Sequence, residues 1–125
     1  MAVIPENVLR EWEDREGPIV FSTVDTDGTP NAIYATCVSL PDSETIVIAD
    51  NFFDKTRKNI LSGSKASILF INKEKKSFQI KGNIEYHKTG EVFDDMKKWN
   101  PEKLPGHAAV AIKVKEIYSG SEKLN

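Results

Sequence analysis

Residues 18–40, PIVFSTVDTDGTPNAIYATCVSL, alternate apolar and polar side chains on both sides of a short polar segment. A period of two is typical of a half-buried β-strand, and Asp27-Gly28 is a dipeptide that favours a tight hairpin turn. The stretch therefore predicts two antiparallel strands, residues 18–25 and 30–40.

Further strands are predicted by segments rich in β-branched and aromatic residues. They are residues 45–51, 65–72, 77–87 and 107–119. A parallel sheet needs crossover connections of a dozen or more residues, and most connections here are shorter. The sequence thus predicts a single domain over residues 1–125 that is mainly β (α+β), with six antiparallel strands in a barrel or sandwich.

The remaining segments predict two or three short helices that close the ends of the sheet. Near the N-terminus, Val8, Leu9 and Trp12 have helical spacing after Pro5. A short helix is expected after Asp54, a residue type that favours the N-cap position. Residues 89–99 place apolar side chains on one helical face.

Composition limits the classes of function. The 17 basic and 19 acidic residues give a net charge of -2, which argues against binding nucleic acid through overall charge. Cys37 is the single cysteine, no apolar run approaches the roughly 18 residues of a membrane span, and residues 1–17 lack a signal-peptide pattern. We expect a cytoplasmic protein without a membrane or nucleic-acid partner.

Three cations stand where the short helix should begin. Lys55, Arg57 and Lys58 follow Asp54 directly, although the positive end of a helix normally attracts acids. These cations, with the hydroxyl of Thr56, would suit a phosphate monoester. The alternative is an ordinary solvated basic turn, whose repulsion costs a few tenths of a kcal/mol per charge.

The strand at residues 30–40 is the second candidate for ligand contact. Tyr34 and Thr36 fall on one face, and small residues such as Ala32 and Ala35 would let a flat ring approach the backbone. An ordinary half-buried strand explains the same pattern. No GxGxxG, Walker motif, nucleophile–base pair or metal-ligand spacing is present, so no catalytic residue and no metal site are predicted. Any chemistry would be that of a bound cofactor.

The order of these elements resembles the FMN-binding split barrel, the pyridoxamine 5'-phosphate oxidase-like superfamily. The resemblance extends from about residue 8 to residue 118, and the compact chain is similar to the small bacterial FMN-binding proteins. Its most specific parts are the aromatic–Asp–Lys–Thr–x–x–Asn stretch at residues 53–59 and SFQIKG at residues 77–82.

The resemblance implies a six-stranded antiparallel split β-barrel that forms a homodimer with FMN in the groove between subunits. It implies a phosphate-binding pair, Lys55 and Thr56. It places Asp50 and Asn51 beside the ribityl chain and phosphate. The residues that it places along or near the isoalloxazine ring are Tyr34, Ala35, Thr36, Ser77 and Gln79. The implied function is that of a flavoprotein, an oxidoreductase or electron-transfer protein whose redox partner is a small molecule or a nicotinamide nucleotide.

The chain departs from the superfamily pattern in two places. Full-length pyridoxamine phosphate oxidases continue into a segment with an arginine for the substrate phosphate, and EIYSGSEKLN lacks it. Oxidation of vitamin B6 is therefore not expected. The small FMN-binding proteins place a tryptophan before the last strand, where Leu104, Pro105 or His107 would border the ring here. The alternative function is a non-enzymatic module that binds FMN, a deazaflavin or a haem-type molecule, or a structural protein with an empty groove.

Overall fold

The structure is a computed structural model that describes residues 3–125; Met1 and Ala2, where the predicted domain begins, lie outside the described residues. Within the described range there are three helices, α1 Glu6–Glu13, α2 Lys55–Leu61 and α3 Glu91–Trp99. The same range contains eight strands, β1 Ile19–Val24, β2 Pro30–Ala35, β3 Val38–Asp42, β4 Thr45–Asp50, β5 Ala66–Ile71, β6 Ser77–His87, β7 Ala108–Ser119 and β8 Glu122–Lys123.

All strand pairs are antiparallel, in the order β2-β1-β5-β6-β7-β4-β3, and β8 pairs with β7. The sheet curls into a split β-barrel, so the predicted fold class is confirmed. The described residues form eight strands rather than the predicted six, because β8 follows β7 and because residues 30–40 break at Thr36 and Cys37. There the chain leaves β1, the partner of β2, and pairs with β4 instead, at the opposite end of the strand order.

The barrel bends where β6 passes from one partner to the next. The first half of β6 pairs with β5 and most of its length pairs with β7, with a register shift between Lys81 and Gly82. A Cβ atom at Gly82 would lie 2.2 Å from the carbonyl oxygen of Lys113. Glycine is therefore required at this bend because the backbone of β7 approaches too closely for any side chain.

The main core fills the inside of the curled sheet, and α1 closes one end. Trp12 of α1 packs edge-on against Phe70, with ring centroids 5.2 Å apart, and Phe70 stacks on Phe78 at 5.3 Å. Val8 and Trp12 are buried and Leu9 packs on the core, which confirms the predicted apolar stripe. A smaller cluster under α3 surrounds the fully buried Met96.

None of the helices formed by residues 3–125 combines the length and the apolar character that crossing a membrane requires.

Candidate functional site

Strand β4 ends in a buried corner that joins the barrel to α2. The side chain of Asp50, the last residue of β4, is fully buried, and its carboxylate accepts a hydrogen bond from the backbone N–H of Phe53 at 3.1 Å. Asp54 occupies the predicted N-cap position of α2, although within the described structure its carboxylate makes no capping hydrogen bond. Asp50, four residues earlier, shapes this corner in its place.

Arg57 turns away from solvent and binds Asp50. Its Nε donates to Oδ2 at 2.7 Å and a terminal nitrogen donates to Oδ1 at 2.9 Å, which is a bidentate pair. The hydroxyl of Tyr86, on β6, donates to the same Oδ2 at 2.5 Å. The Asp50 cluster, defined as Asp50, Arg57 and Tyr86, thus ties α2 to strands β4 and β6.

The pKa values of the Asp50 cluster follow from this geometry. Burial works to raise the pKa of Asp50, but the hydrogen bonds from Arg57, Tyr86 and the Phe53 amide outweigh it and hold the pKa below its usual range. Burial, together with the hydrogen bond to the Asp50 carboxylate, raises the pKa of Tyr86 from 10.0 to about 12. Asp50 is therefore ionised at neutral pH, and Tyr86 is neutral.

The predicted placement of Asp50 beside the ligand stays a prediction. Its carboxylate has no exposed surface, and both of its oxygens are already paired inside the chain. The side chain therefore positions Arg57. Sequence reasoning missed Tyr86 because nothing in the chain marks a tyrosine 36 residues after Asp50 as its partner.

The other predicted phosphate ligands have different surroundings. Lys55 and Lys58 are exposed and line a cavity of about 300 Å³ at the start of β2, together with Asn31. Asp25 and Asp27 line the same cavity, but their carboxylates accept hydrogen bonds from the turn that joins β1 and β2. Two exposed lysines, Lys55 and Lys58, therefore stand beside two carboxylates that already accept hydrogen bonds from the turn.

Thr56 lies beneath this basic cavity rather than in its wall. Only 2% of the residue is exposed, and its hydroxyl oxygen accepts a hydrogen bond from the side chain of Asn31 at 3.0 Å. Asn31 and Asn59 also donate to the hydroxyl of Thr23, at 3.4 and 3.0 Å. This buried polar network fixes α2 against β1 and β2.

A second cavity, of about 330 Å³, lies at the break between β2 and β3, and we call it the ring cavity. Four of the predicted cofactor residues line it, namely Tyr34, Ala35, Thr36 and Asn51. The further lining residues among those described are Ile33, Cys37, Ala49, Phe52, Phe53 and Leu104. Tyr34 and Phe52 are 77% and 76% exposed, so aromatic side chains stand at the mouth of the cavity. Sequence reasoning missed Phe52, which only its exposure identifies.

The ring cavity and the basic cavity adjoin the same strand. Asn31 lies in the basic cavity near the start of β2, and Thr36 lies in the ring cavity just after its end. Five residues of extended strand span roughly 17 Å. A ligand with a planar ring and an anionic tail can therefore lie along β2 with one part in each cavity.

The ring cavity has walls without strongly acidic or basic groups. Tyr34 and Cys37 are the titratable side chains among the described residues that line it. Among residues 3–125 there is also no group of three or more His, Cys, Asp and Glu side chains arranged to hold a metal ion. The arrangement can bind and orient a ring, but reacting groups would have to be carried by the ligand.

Ser77 and Gln79 lie apart from the ring cavity. Both are half-buried on the outer face of β6, and Gln79 donates to the hydroxyl of Ser67 at 3.2 Å. In the strand register, Tyr34 pairs with Val20, Val20 with Leu69 and Leu69 with Gln79. Three strand spacings separate Tyr34 from Gln79, roughly 14 Å. Within one chain the side chains of Tyr34 and Gln79 therefore do not touch.

Of the alternatives at the last strand, Leu104 lines the ring cavity. Pro105 and His107 are exposed and are not among its lining residues. Trp99 lines a neighbouring cavity of about 350 Å³ with Pro101, on the other side of Thr36 and Cys37.

The fold defines a class of small antiparallel split barrels, here with two cavities along the second strand. The family model for pyridoxamine 5'-phosphate oxidase matches residues 6–120. The chain therefore belongs to this family. An uncharacterized protein of Methanocaldococcus jannaschii is 37% identical over 110 residues, which are 83% of this chain and 74% of that protein.

Solved structures show the same fold at lower identity. HupZ from Group A Streptococcus is 24% identical with a TM-score of 0.84, over 98% of each chain. An FMN-binding protein from Syntrophomonas wolfei is 22% identical with a TM-score of 0.75, over 96% of this chain and 98% of that one. The fold also occurs in an F420 reductase, which is 15% identical with a TM-score of 0.70, over 92% of this chain and 98% of that one. HutZ, a heme storage protein from Vibrio cholerae, is 15% identical with a TM-score of 0.69, over 93% of this chain and 94% of that one.

Proposed function

We propose that this protein is an FMN-binding flavoprotein that acts as an oxidoreductase or electron-transfer protein. The observation that carries the proposal is the ring cavity, which lies next to a lysine-lined cavity along one strand in a member of the pyridoxamine 5'-phosphate oxidase family. When bound, FMN would supply hydride or electron transfer at its isoalloxazine ring.

The ring cavity suits a flat heteroaromatic ring. Ala35 and Ala49 line its floor with small side chains, so a ring can approach the strand backbones closely. Phe52 and Tyr34 can cover the exposed part of a ring, and aromatic contacts of this kind contribute about 0.5–1.5 kcal/mol each. In this proposal Tyr34, Ala35 and Thr36 border the isoalloxazine.

The phosphate end is assigned to the basic cavity. Lys55 supplies the charge, because its ammonium is exposed there and carries no internal role comparable to that of Arg57. Thr56 contributes by fixing Asn31 and α2, since its hydroxyl oxygen already accepts the hydrogen bond from Asn31. Asn51, at the end of β4, would lie between the ring and the phosphate.

We further propose the homodimer that the resemblance implies. The outer face of the sheet carries exposed apolar side chains, with Tyr34 at 77% and Leu69 at 42% exposure. A partner covering this face would bring its own Ser77 and Gln79 toward the flavin that the first subunit holds, whereas within one chain Gln79 lies roughly 14 Å from Tyr34.

A second candidate is a module that binds FMN or a related ligand, such as a deazaflavin or a haem-type molecule, without turnover. It is favoured by the composition of the ring cavity, where Tyr34 and Cys37 are the titratable residues among those that line it. With such a wall, any catalysis would depend mainly on the chemistry of the ligand and of a redox partner.

The deciding experiment identifies the ligand and then tests its reduction. We expect the purified protein to bind FMN when the two are titrated together, and the ligand released on denaturation to have the mass and spectrum of FMN. Anaerobic addition of a nicotinamide nucleotide should then bleach the bound flavin. Binding without bleaching would favour the non-enzymatic module, and no binding of FMN would reject the proposal.

A further inference from the structure

We propose that the amide pair formed by Asn51 and Asn100 is a positioning device that holds residues 100–106 so that Leu104 forms a wall of the ring cavity. The inference rests on the proposed function, because it takes the ring cavity to be the flavin site. It adds a role for Asn100 and Lys97, which lie outside that cavity, and it assigns the side chain of Asn51 to the wall rather than to the ligand.

The two amides make a closed pair inside the protein. The side-chain nitrogen of Asn51 donates to Oδ1 of Asn100 at 3.1 Å, and the side-chain nitrogen of Asn100 donates back to Oδ1 of Asn51 at 2.8 Å. Both residues are buried, at 8% and 6% exposure. Because each amide donates and accepts once in this pair, an aspartate or an alanine at either position would leave a buried polar atom unpaired.

The same pair also binds the far end of the segment. Oδ1 of Asn51 accepts a second hydrogen bond, from the backbone N–H of Gly106 at 2.9 Å. Asn51 thus holds both ends of the segment, Asn100 at its beginning and Gly106 at its end. A segment of this length closed at both ends has few conformations left for Leu104, which lies between them.

Lys97 and Gly106 add a second attachment. The ammonium of Lys97, on α3, donates to the carbonyl oxygens of Pro105 and Gly106 at 3.0 and 3.3 Å. Gly106 has a φ of +51°, and a Cβ atom there would lie 2.9 Å from the Lys97 ammonium and 3.1 Å from the Asn100 amide. The glycine therefore allows the loop to come close enough to α3 for both contacts to form.

The segment separates the ring cavity from its neighbour. Leu104 faces the ring cavity together with Asn51, and Pro101 faces the cavity that contains Trp99. Thr36 and Cys37 line both the ring cavity and the cavity next to Trp99. A loop that moved out of this position would remove one apolar wall from the ring and leave that side open.

The test measures the affinity of the full-length protein for FMN and for riboflavin, in Leu104→Ala, in Asn100→Ala and in the double variant. We expect each single change to raise both dissociation constants about five- to tenfold, the equivalent of losing the apolar contact of one leucine. The ratio between the two constants should stay the same, because the phosphate end is not touched. Lys98→Ala, an exposed lysine on the same helix, is the matched control and should leave both constants unchanged.

The double variant separates positioning from general structural damage. If Asn100 acts through Leu104, adding Asn100→Ala to Leu104→Ala should weaken flavin binding by less than twofold more. The vibrational fine structure of the bound flavin's long-wavelength absorption band should blur equally in the single and double variants. Should Asn100→Ala not fold, Lys97→Ala replaces it, since that side chain is exposed and holds the same loop.

Additive losses in the double variant would overturn the inference, and so would wild-type affinity and spectrum in Leu104→Ala. In either case the wild-type protein still binds flavin and the proposed function stands. If the wild-type protein binds neither FMN nor riboflavin, the proposed function fails first and the inference fails with it.

Discussion

Arg57 and Lys55 lie on the first two turns of one short helix and carry the same charge, yet their surroundings are opposite. The Arg57 side chain is 34% exposed and forms a bidentate pair with a fully buried carboxylate. Lys55 is exposed and lines the basic cavity. The difference shows that a run of cations need not act as one site, since residues two positions apart point to different sides of a helix. One cation holds the fold together, and the other is available to a ligand.

The largest effect that this comparison predicts is on stability. Arg57→Ala should lower the free energy of unfolding by about 3 kcal/mol, because it leaves the carboxylate of Asp50 buried without its guanidinium partner. Denaturant titration measures the loss. Lys58→Ala, a change of an exposed cation on the same helix, serves as the control and should stay within about 0.5 kcal/mol of the wild-type protein. Equal losses of unfolding free energy in Arg57→Ala and Lys58→Ala would show that the buried ion pair of Arg57 does not distinguish it from an exposed lysine.

Lys55→Ala, in contrast to Arg57→Ala, should change the affinity for FMN and leave the stability nearly unchanged. We expect the stability to change by less than about 0.5 kcal/mol and the affinity for FMN to fall about tenfold, as for the loss of one charge-assisted hydrogen bond. The affinity for riboflavin, which lacks the phosphate, should not change. Isothermal titration with both flavins measures this, with Lys65→Ala, an exposed lysine between α2 and β5, as the control. An equal loss for both flavins would place the phosphate elsewhere.

The smallest effect concerns the pH dependence of the Asp50 cluster. Since the pKa of Tyr86 rises from 10.0 in the unfolded chain to about 12 in the folded one, its contribution to stability is fully present below pH 10 and is lost as the pH rises toward 12. We expect this contribution to be about 1 kcal/mol, because Tyr86 is half-buried and solvent screens the interaction.

Tyr86→Phe tests this by comparison of unfolding free energies at a series of pH values. The difference between the wild-type protein and the variant should be constant from neutral pH to about pH 10 and should shrink at higher pH. Tyr118→Phe, which removes a part-buried tyrosine–carboxylate hydrogen bond with Glu116 away from Asp50, is the comparison variant. A difference that stayed constant to pH 12 would show that the hydroxyl does not interact with Asp50.

Much of the fold could be predicted from the sequence, because the signals are local. The hairpin at residues 18–35 follows from alternation and from Asp27-Gly28, and the Val8–Trp12 stripe follows from helical spacing. The break at Thr36 and Cys37 could not be predicted, because residues 30–40 keep a strand-like pattern throughout. The break exists because two different strands, β1 and β4, pair with its two halves.

The residues of the candidate site likewise fall into those that the sequence predicted and those that it did not. The residues near one another in sequence, Tyr34 to Thr36 and Asn51, were predicted and do line one cavity. Tyr86 was missed because it meets Asp50 through a contact that is distant in sequence, and Phe52 was missed because only its exposure at the cavity marks it. Asp50 was placed beside the ligand, whereas its side chain is used inside the protein. The assignment of all these predicted residues, and of Lys55, Thr56, Ser77 and Gln79, to a flavin stays a prediction.

The sequence by itself determined that the chain forms antiparallel strands with short helices and that a run of cations follows β4, because period, turn residues and charge are properties of neighbours along the chain. Only the tertiary structure decided which of those cations faces the basic cavity and which faces a buried carboxylate. That choice depends on Asp50 and Tyr86, which come from separate strands and meet Arg57 only when the sheet has curled.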